Sequence, residues 1–78
     1  MTYKELKDFY NGEQPVILET KLCRYDDISV ISLIEPSDLD TEGAMQFEDE
    51  ETVTFTVPAE NIVSIKLDTE RLNKWKSN

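Results

Sequence analysis

Seventeen Asp and Glu residues, one cysteine and no histidine bound the chemistry open to this chain. Neighbouring carboxylates can divide acid and base roles only where a cleft drives their pKa values apart, and 78 residues leave little depth for a cleft. Cys23 stands near Lys21 and Arg24, yet no histidine is present to take its proton, so a nucleophilic role lacks its partner and a half-buried structural cysteine is the expectation. One cysteine cannot close an intramolecular disulfide, and zinc sites built from Cys and His are excluded. No enzyme activity and no cofactor are therefore expected.

The acids themselves are the conspicuous material. Residues 1 to 24 balance to zero and residues 66 to 78 carry a net +2, but from Tyr25 to Ile65 there are eleven acids and no base. A one-sign field of this kind attracts basic partners and repels phosphate backbones. Its densest run is Glu48-Asp49-Glu50-Glu51, four like charges that must sit in a solvated turn and that form the candidate patch for Lys or Arg on a partner. A second arrangement overlaps it. Asp38-Leu39-Asp40-Thr41-Glu42-Gly43-Ala44-Met45-Gln46-Phe47-Glu48-Asp49 resembles a calcium-binding EF-hand loop, with oxygen ligands at its first, third and fifth positions, glycine at the sixth and an acid at the twelfth. That resemblance implies Asp38, Asp40, Glu42 and Asp49 as metal ligands. It departs from the family at Glu42, where Asp or Asn is usual, at Asp49, where a longer Glu is usual, and in flanks that read as strands.

These residues need a scaffold, and 78 residues make one domain, 1–78. Thr2 and Glu5 have capping-box spacing, and Tyr3, Leu6, Phe9 and Tyr10 recur on one helical face, which predicts a helix near 2–11 ended by Gly12 and Pro15. From Val16 the period becomes two. Strands are predicted near 16–22, 28–35, 44–48, 52–57 and 62–67, with a reversal at 24–27. Val16, Leu18, Thr20 and Leu22 should share one face, as should Val53, Phe55 and Val57, and Val63, Ile65 and Leu67. Residues 68–76 read as a short final helix with Leu72 and Trp75 as apolar contacts. No apolar run reaches the ~20 residues of a membrane helix and no basic-apolar leader opens the chain, so no membrane and a cytoplasmic location are expected.

One helix and five short strands match the grammar of a small bent barrel. The run Val57-Pro58-Ala59-Glu60-Asn61-Ile62-Val63-Ser64-Ile65 resembles the second signature of Sm and Sm-like proteins, in which a strand meets a short turn before the last strand. The resemblance implies a mainly β fold, a small five-stranded antiparallel SH3/Sm-like barrel with an N-terminal helix and a short C-terminal helix. It does not carry over RNA binding. Pro58-Ala59 stands where the family has an Arg-Gly pair, the first signature is absent, and only Asn61 matches a uridine-binding position. The expectation is a protein-interaction module that uses the acidic patch Glu48, Asp49, Glu50 and Glu51, or an exposed sheet edge, against a protein with a basic surface. Self-association through such edges, as in Sm-like barrels, belongs to the same reading. Nucleic acid is not an expected partner. The alternatives are an acidic inhibitor or nucleic-acid mimic that blocks a basic site, and a weak calcium-binding domain.

Overall fold

A computed structural model describes residues 1–39 and 41–76. Helix α1 (Tyr3–Phe9) is followed by β1 (Gln14–Thr20), β2 (Arg24–Ile34), β3 (Ala44–Asp49), β4 (Thr54–Pro58), a 3-10 turn (Ala59–Asn61), β5 (Ile62–Leu67) and α2 (Thr69–Lys76). The strands form one antiparallel sheet in the order β4-β3-β2-β1-β5. The outer strands β4 and β5 are joined in sequence by the 3-10 turn and not by a ladder, so the expected barrel is an open sheet. No helix among the described residues is long and apolar enough to cross a membrane.

Three bulges shape this sheet. Opposite Ile17, β2 carries one residue too many at Asp26-Asp27; opposite the Gln46–Phe47 step it carries an extra Ile31; opposite the Glu19–Thr20 step, β5 carries an extra Val63. Each added residue bends its strand and shifts which side chains face inward. Hence Tyr25 lies on the same side as Leu18, its partner, and Leu33 turns back to the core beside Met45. On β5 the inward set is Ile62, Ile65 and Leu67, while Val63 is 51% exposed and leaves the face on which strict alternation puts it.

Leu18, Val16, Ile28, Val30, Met45, Phe47 and Ile62 fill the concave side. Helix α1 closes that side with Leu6, wholly buried, whose transfer from water contributes about 1.5–3 kcal/mol. Its capping box forms as the spacing predicts: the Glu5 amide donates to Thr2 Oγ1 at 3.2 Å and the Thr2 amide to Glu5 Oε1 at 2.9 Å. The Thr2 amide, and then the Thr2 hydroxyl donating to the same Glu5 oxygen, hold the Glu5 carboxyl below its usual range. The Met1 ammonium donates to the carbonyls of Ala59, at 3.1 Å, and Ile62, tying the helix entrance to the 3-10 turn. Gly43 admits this docking. Its φ of +74° suits glycine, and a Cβ there would lie 2.6 Å from the Tyr3 ring.

Helix α2 sits beside β1 on the other side of the sheet. Asp68 caps it, accepting from the Arg71 amide at 3.2 Å and from Arg71 Nε at 2.9 Å. The guanidinium continues through Nη2 to the carbonyl of Val16, at 3.0 Å, and to that of Ile28. Val16 and Ile28 are the registered pair next to the Asp26-Asp27 bulge, so one arginine ties α2 to β1 and β2 where the ladder is interrupted.

Some predicted boundaries move. The reversal between β1 and β2 is at 21–23 and not at 24–27, because Thr20 Oγ1 accepts from the amides of Leu22 and Cys23 and turns the chain early. Leu22 is thus 94% exposed instead of sharing the core face of Val16 and Leu18, and Cys23 is exposed at the hairpin tip rather than half-buried. Strand β4 starts at Thr54 and not at 52, leaving Val53 largely exposed before Phe55 and Val57 turn inward.

Candidate functional site

The acidic run occupies the β3–β4 hairpin, and its four members differ in role. The Asp49 amide donates to the Val53 carbonyl at 3.0 Å, closing a loop of Glu50, Glu51 and Thr52 in which Thr52 takes φ +64°. A three-residue hairpin that ends in a left-handed residue is a regular solution for this connection. The Asp49 carboxylate holds it, with Oδ1 accepting from the Glu51 amide at 2.9 Å and the Val53 amide at 3.0 Å. Asp49 is therefore bound into the turn. Glu50 and Glu51 are exposed on it, and Glu48 is half-buried on β3.

Pairing of β2 with β3 adds two acids that the linear run does not contain. Ile28 is registered with Asp49 and Ser29 with Glu48, which sets the Asp26-Asp27 bulge beside the hairpin turn. Asp26, Asp27, Asp49, Glu50 and Glu51 line one shallow depression. Asp27, Glu48, Asp49 and Glu50 line a second, where Arg71 and the half-exposed Trp75 of α2 stand over the outer side of the sheet. With Glu13, which also lines the second depression, seven carboxylates thus share one surface. Cations border it: Arg24 enters the first depression and Arg71 the second, the latter already donating to Asp68 and two carbonyls. The sequence signal for Asp26 and Asp27 was present as two adjacent acids, but an unbroken period-two reading assigns them to a turn and loses their neighbour.

The residues implied as calcium ligands are placed differently. Asp38 and Glu42 are exposed in the β2–β3 connection, Asp40 lies outside the described residues, and Asp49 stands at the far end of β3. At ~3.4 Å per residue, five steps of extended strand put Asp49 about 17 Å from Ala44. An EF-hand loop must curl so that its first and last ligands meet, and an extended β3 does not let it. Gly43, at the turn position of that loop, instead gives room to Tyr3. Among the described residues no group of three or more Asp, Glu, Cys or His is arranged to hold a metal ion.

A different surface borders the acids. Tyr25 and Phe55 meet at a tilt, 5.2 Å between ring centroids, and Phe55 stacks on Phe47 in the core at 5.6 Å. Hydrogen bonding with the Cys23 side chain, followed by burial, holds the Tyr25 phenol above its ordinary range. Tyr25, Phe55, Val57 and Pro58, with Lys21 of the turn, line a largely apolar groove of about 380 Å³ between the free edge of β4 and the β1–β2 turn. Sequence reading did not single out Tyr25, since the bulge after it hides its alternation with Ile28.

Comparison with protein families, curated proteins and solved structures finds no match to this chain.

Proposed function

We propose that this chain is a non-enzymatic protein-interaction module whose docking surface is the acidic face formed by the β2 bulge and the β3–β4 hairpin, and whose partner presents a basic surface. The observation that carries the reading is the register that joins Asp26 and Asp27 to Glu48, Glu50 and Glu51. Like charges gathered by folding raise the local potential well above what the same residues produce when dispersed, and they steer a basic partner over roughly a Debye length of ~8 Å at physiological salt. A distant likeness to Sm and Sm-like proteins is supported by the strand order and by the short helical turn at Ala59–Asn61 ahead of the last strand. It extends to fold, since Pro58-Ala59 lacks the cation of that family's RNA contact.

The test is capture of partners from lysate by the wild-type protein and by a variant with Glu48→Lys, Glu50→Lys and Glu51→Lys, at low and high salt. Asp49 is kept because it holds the turn. A partner whose binding weakens in the variant and at high salt supports the reading. Retention that ignores both removes it.

A further inference from the structure

We infer that the seam between β4 and the β1–β2 turn receives an extended, basic segment of another protein, which adds to the sheet as a strand on the free edge of β4. The inference rests on the proposed acidic interaction module and names its mode of docking.

The backbone of β4 defines the edge. Bonds from the Asp49 amide to the Val53 carbonyl and from the Ala59 amide to the Gly43 carbonyl, both 3.0 Å, fix the phase of the β3–β4 ladder. Antiparallel bonding alternates, so Phe55 and Val57 bond to β3 while the amides and carbonyls of Thr54 and Thr56 point away from it, and the Pro58 carbonyl is taken up by the 3-10 turn that follows. Pro58, which has no amide hydrogen, sits where none is needed by β3. Among the described residues no strand covers that edge. An exposed edge with two amides and two carbonyls is a template for one more strand.

The groove and the field select what that strand carries. Its floor is the Tyr25–Phe55 pair with Val57, so alternate side chains of the guest that face inward are apolar. Beyond Thr54 the edge runs toward Glu50 and Glu51, and Tyr25 belongs to both the groove and the depression lined by Asp26 and Asp27. Lys21 is the one charged residue lining the groove itself, and the carboxylates lie at the Thr54 end, so the remaining guest residues are Lys or Arg where the strand passes that end. A second copy of this chain, at net −9, approaches this end against the field, whereas a basic segment is drawn to it.

The probe is a fluorescent, blocked nine-residue peptide of alternating Val and Lys, measured by anisotropy at 150 mM and 500 mM salt. It is accompanied by three relatives: one N-methylated at every Val, one N-methylated at every Lys, and one with Glu for Lys. In a docked strand one alternating set of amides faces β4 and the other faces away. The expected result is binding that falls at least tenfold on methylation of one set only, falls at high salt, and vanishes with Glu. Thr56→Pro, which removes an outward amide and leaves the β3 bonds, should weaken binding at least tenfold with thermal unfolding unchanged. If Thr56→Pro does not fold, the methylated peptides decide on the wild-type protein.

Absence of binding overturns the inference. So does equal loss from both methylations, which with retained salt sensitivity leaves the acidic module standing and removes strand addition. Binding that follows one methylation set but ignores salt and the Glu peptide also overturns it, by removing the basic occupant. A dimer detected by sedimentation that the peptide does not displace assigns the edge to a second copy and overturns it as well.

Discussion

Replacing Arg71 with alanine should be among the most damaging single changes open to this domain, although the residue is a partly exposed arginine. Its guanidinium serves the Asp68 carboxylate at 2.9 Å, the Val16 carbonyl at 3.0 Å and the Ile28 carbonyl. Hydrogen bonds from a charged donor contribute roughly 1.5–3 kcal/mol each, and the carbonyls left behind are partly rehydrated, so a net loss of about 2–4 kcal/mol is expected. The pair with Asp68 is shielded, its side chains only 19% and 14% exposed, which limits the discount for solvent. A 78-residue domain holds on the order of 4–12 kcal/mol in total, so the loss is a large fraction of it. In a chain of this size it corresponds to a fall in Tm of roughly 10–25 °C. Circular dichroism during heating and in urea measures both quantities. Arg71→Lys should recover only part, because one ammonium cannot span a carboxylate and two carbonyls. If Arg71→Ala unfolds within about 0.5 kcal/mol of wild type, the arginine does not fasten α2 to the bulge and the assignment is wrong.

Gly43→Ala combines an unfavourable positive φ with a contact of 2.6 Å to the Tyr3 ring. It should cost about 2–4 kcal/mol in urea unfolding and loosen α1, and hydrogen exchange should show the loss of protection concentrated at residues 3–9. Asp49→Ala should destabilise by about 1–3 kcal/mol through the two amides it leaves unpaired, while Glu50→Ala on the same turn should stay within about 0.5 kcal/mol; equal effects would refute the distinction between them. The Asp68 carboxyl is held below its usual range, chiefly by the Arg71 side chain and then by the Arg71 amide. The sign follows: its contribution is present at neutral pH and is lost as pH falls through the carboxylate range toward the lowered folded value. Asp68→Asn should therefore lower the urea midpoint at pH 7, and the gap from wild type should narrow below about pH 4.

The parts of this fold that follow from unbroken periodicity are legible in the sequence. Thr2 and Glu5 announce the start of α1, Leu6 its buried face, and the alternation through Phe55 and Val57 the strand β4. What escapes are residues at which the period slips. Asp26-Asp27, Ile31 and Val63 are each one residue more than the facing strand has, and nothing in local composition marks an extra residue, since the surplus is defined by a partner far away in the chain. The same slips conceal the site. Glu48–Glu51 can be read as a patch from four adjacent letters, but its enlargement by Asp26 and Asp27 depends on β2–β3 register. The function of Asp49 as the clasp of its own turn depends on a φ of +64° at Thr52, a conformation that composition does not announce. Closure of the barrel was likewise beyond strand counting, because a four-strand meander with β5 added beside β1 is compatible with a joined or an open seam.

The Asp26-Asp27 bulge also bears on how this chain tolerates changes in length. Loss of one residue in mid-strand ordinarily turns every side chain beyond it to the wrong face. Here the surplus residue is what interrupts the register: Val16 pairs with Ile28 and Leu18 with Tyr25, so two residues of β2 answer a single Ile17. Deleting Asp27 would leave Tyr25 two positions before Ile28, on the same face, with both flanking pairs preserved and the ladder between them regular. The shortened chain should fold, straighter at this point and with one fewer carboxylate on display. At this place in β2 a deletion is thus a gentler edit than a substitution by an apolar residue, and the length of the strand, rather than its composition alone, sets how prominently the acids are presented.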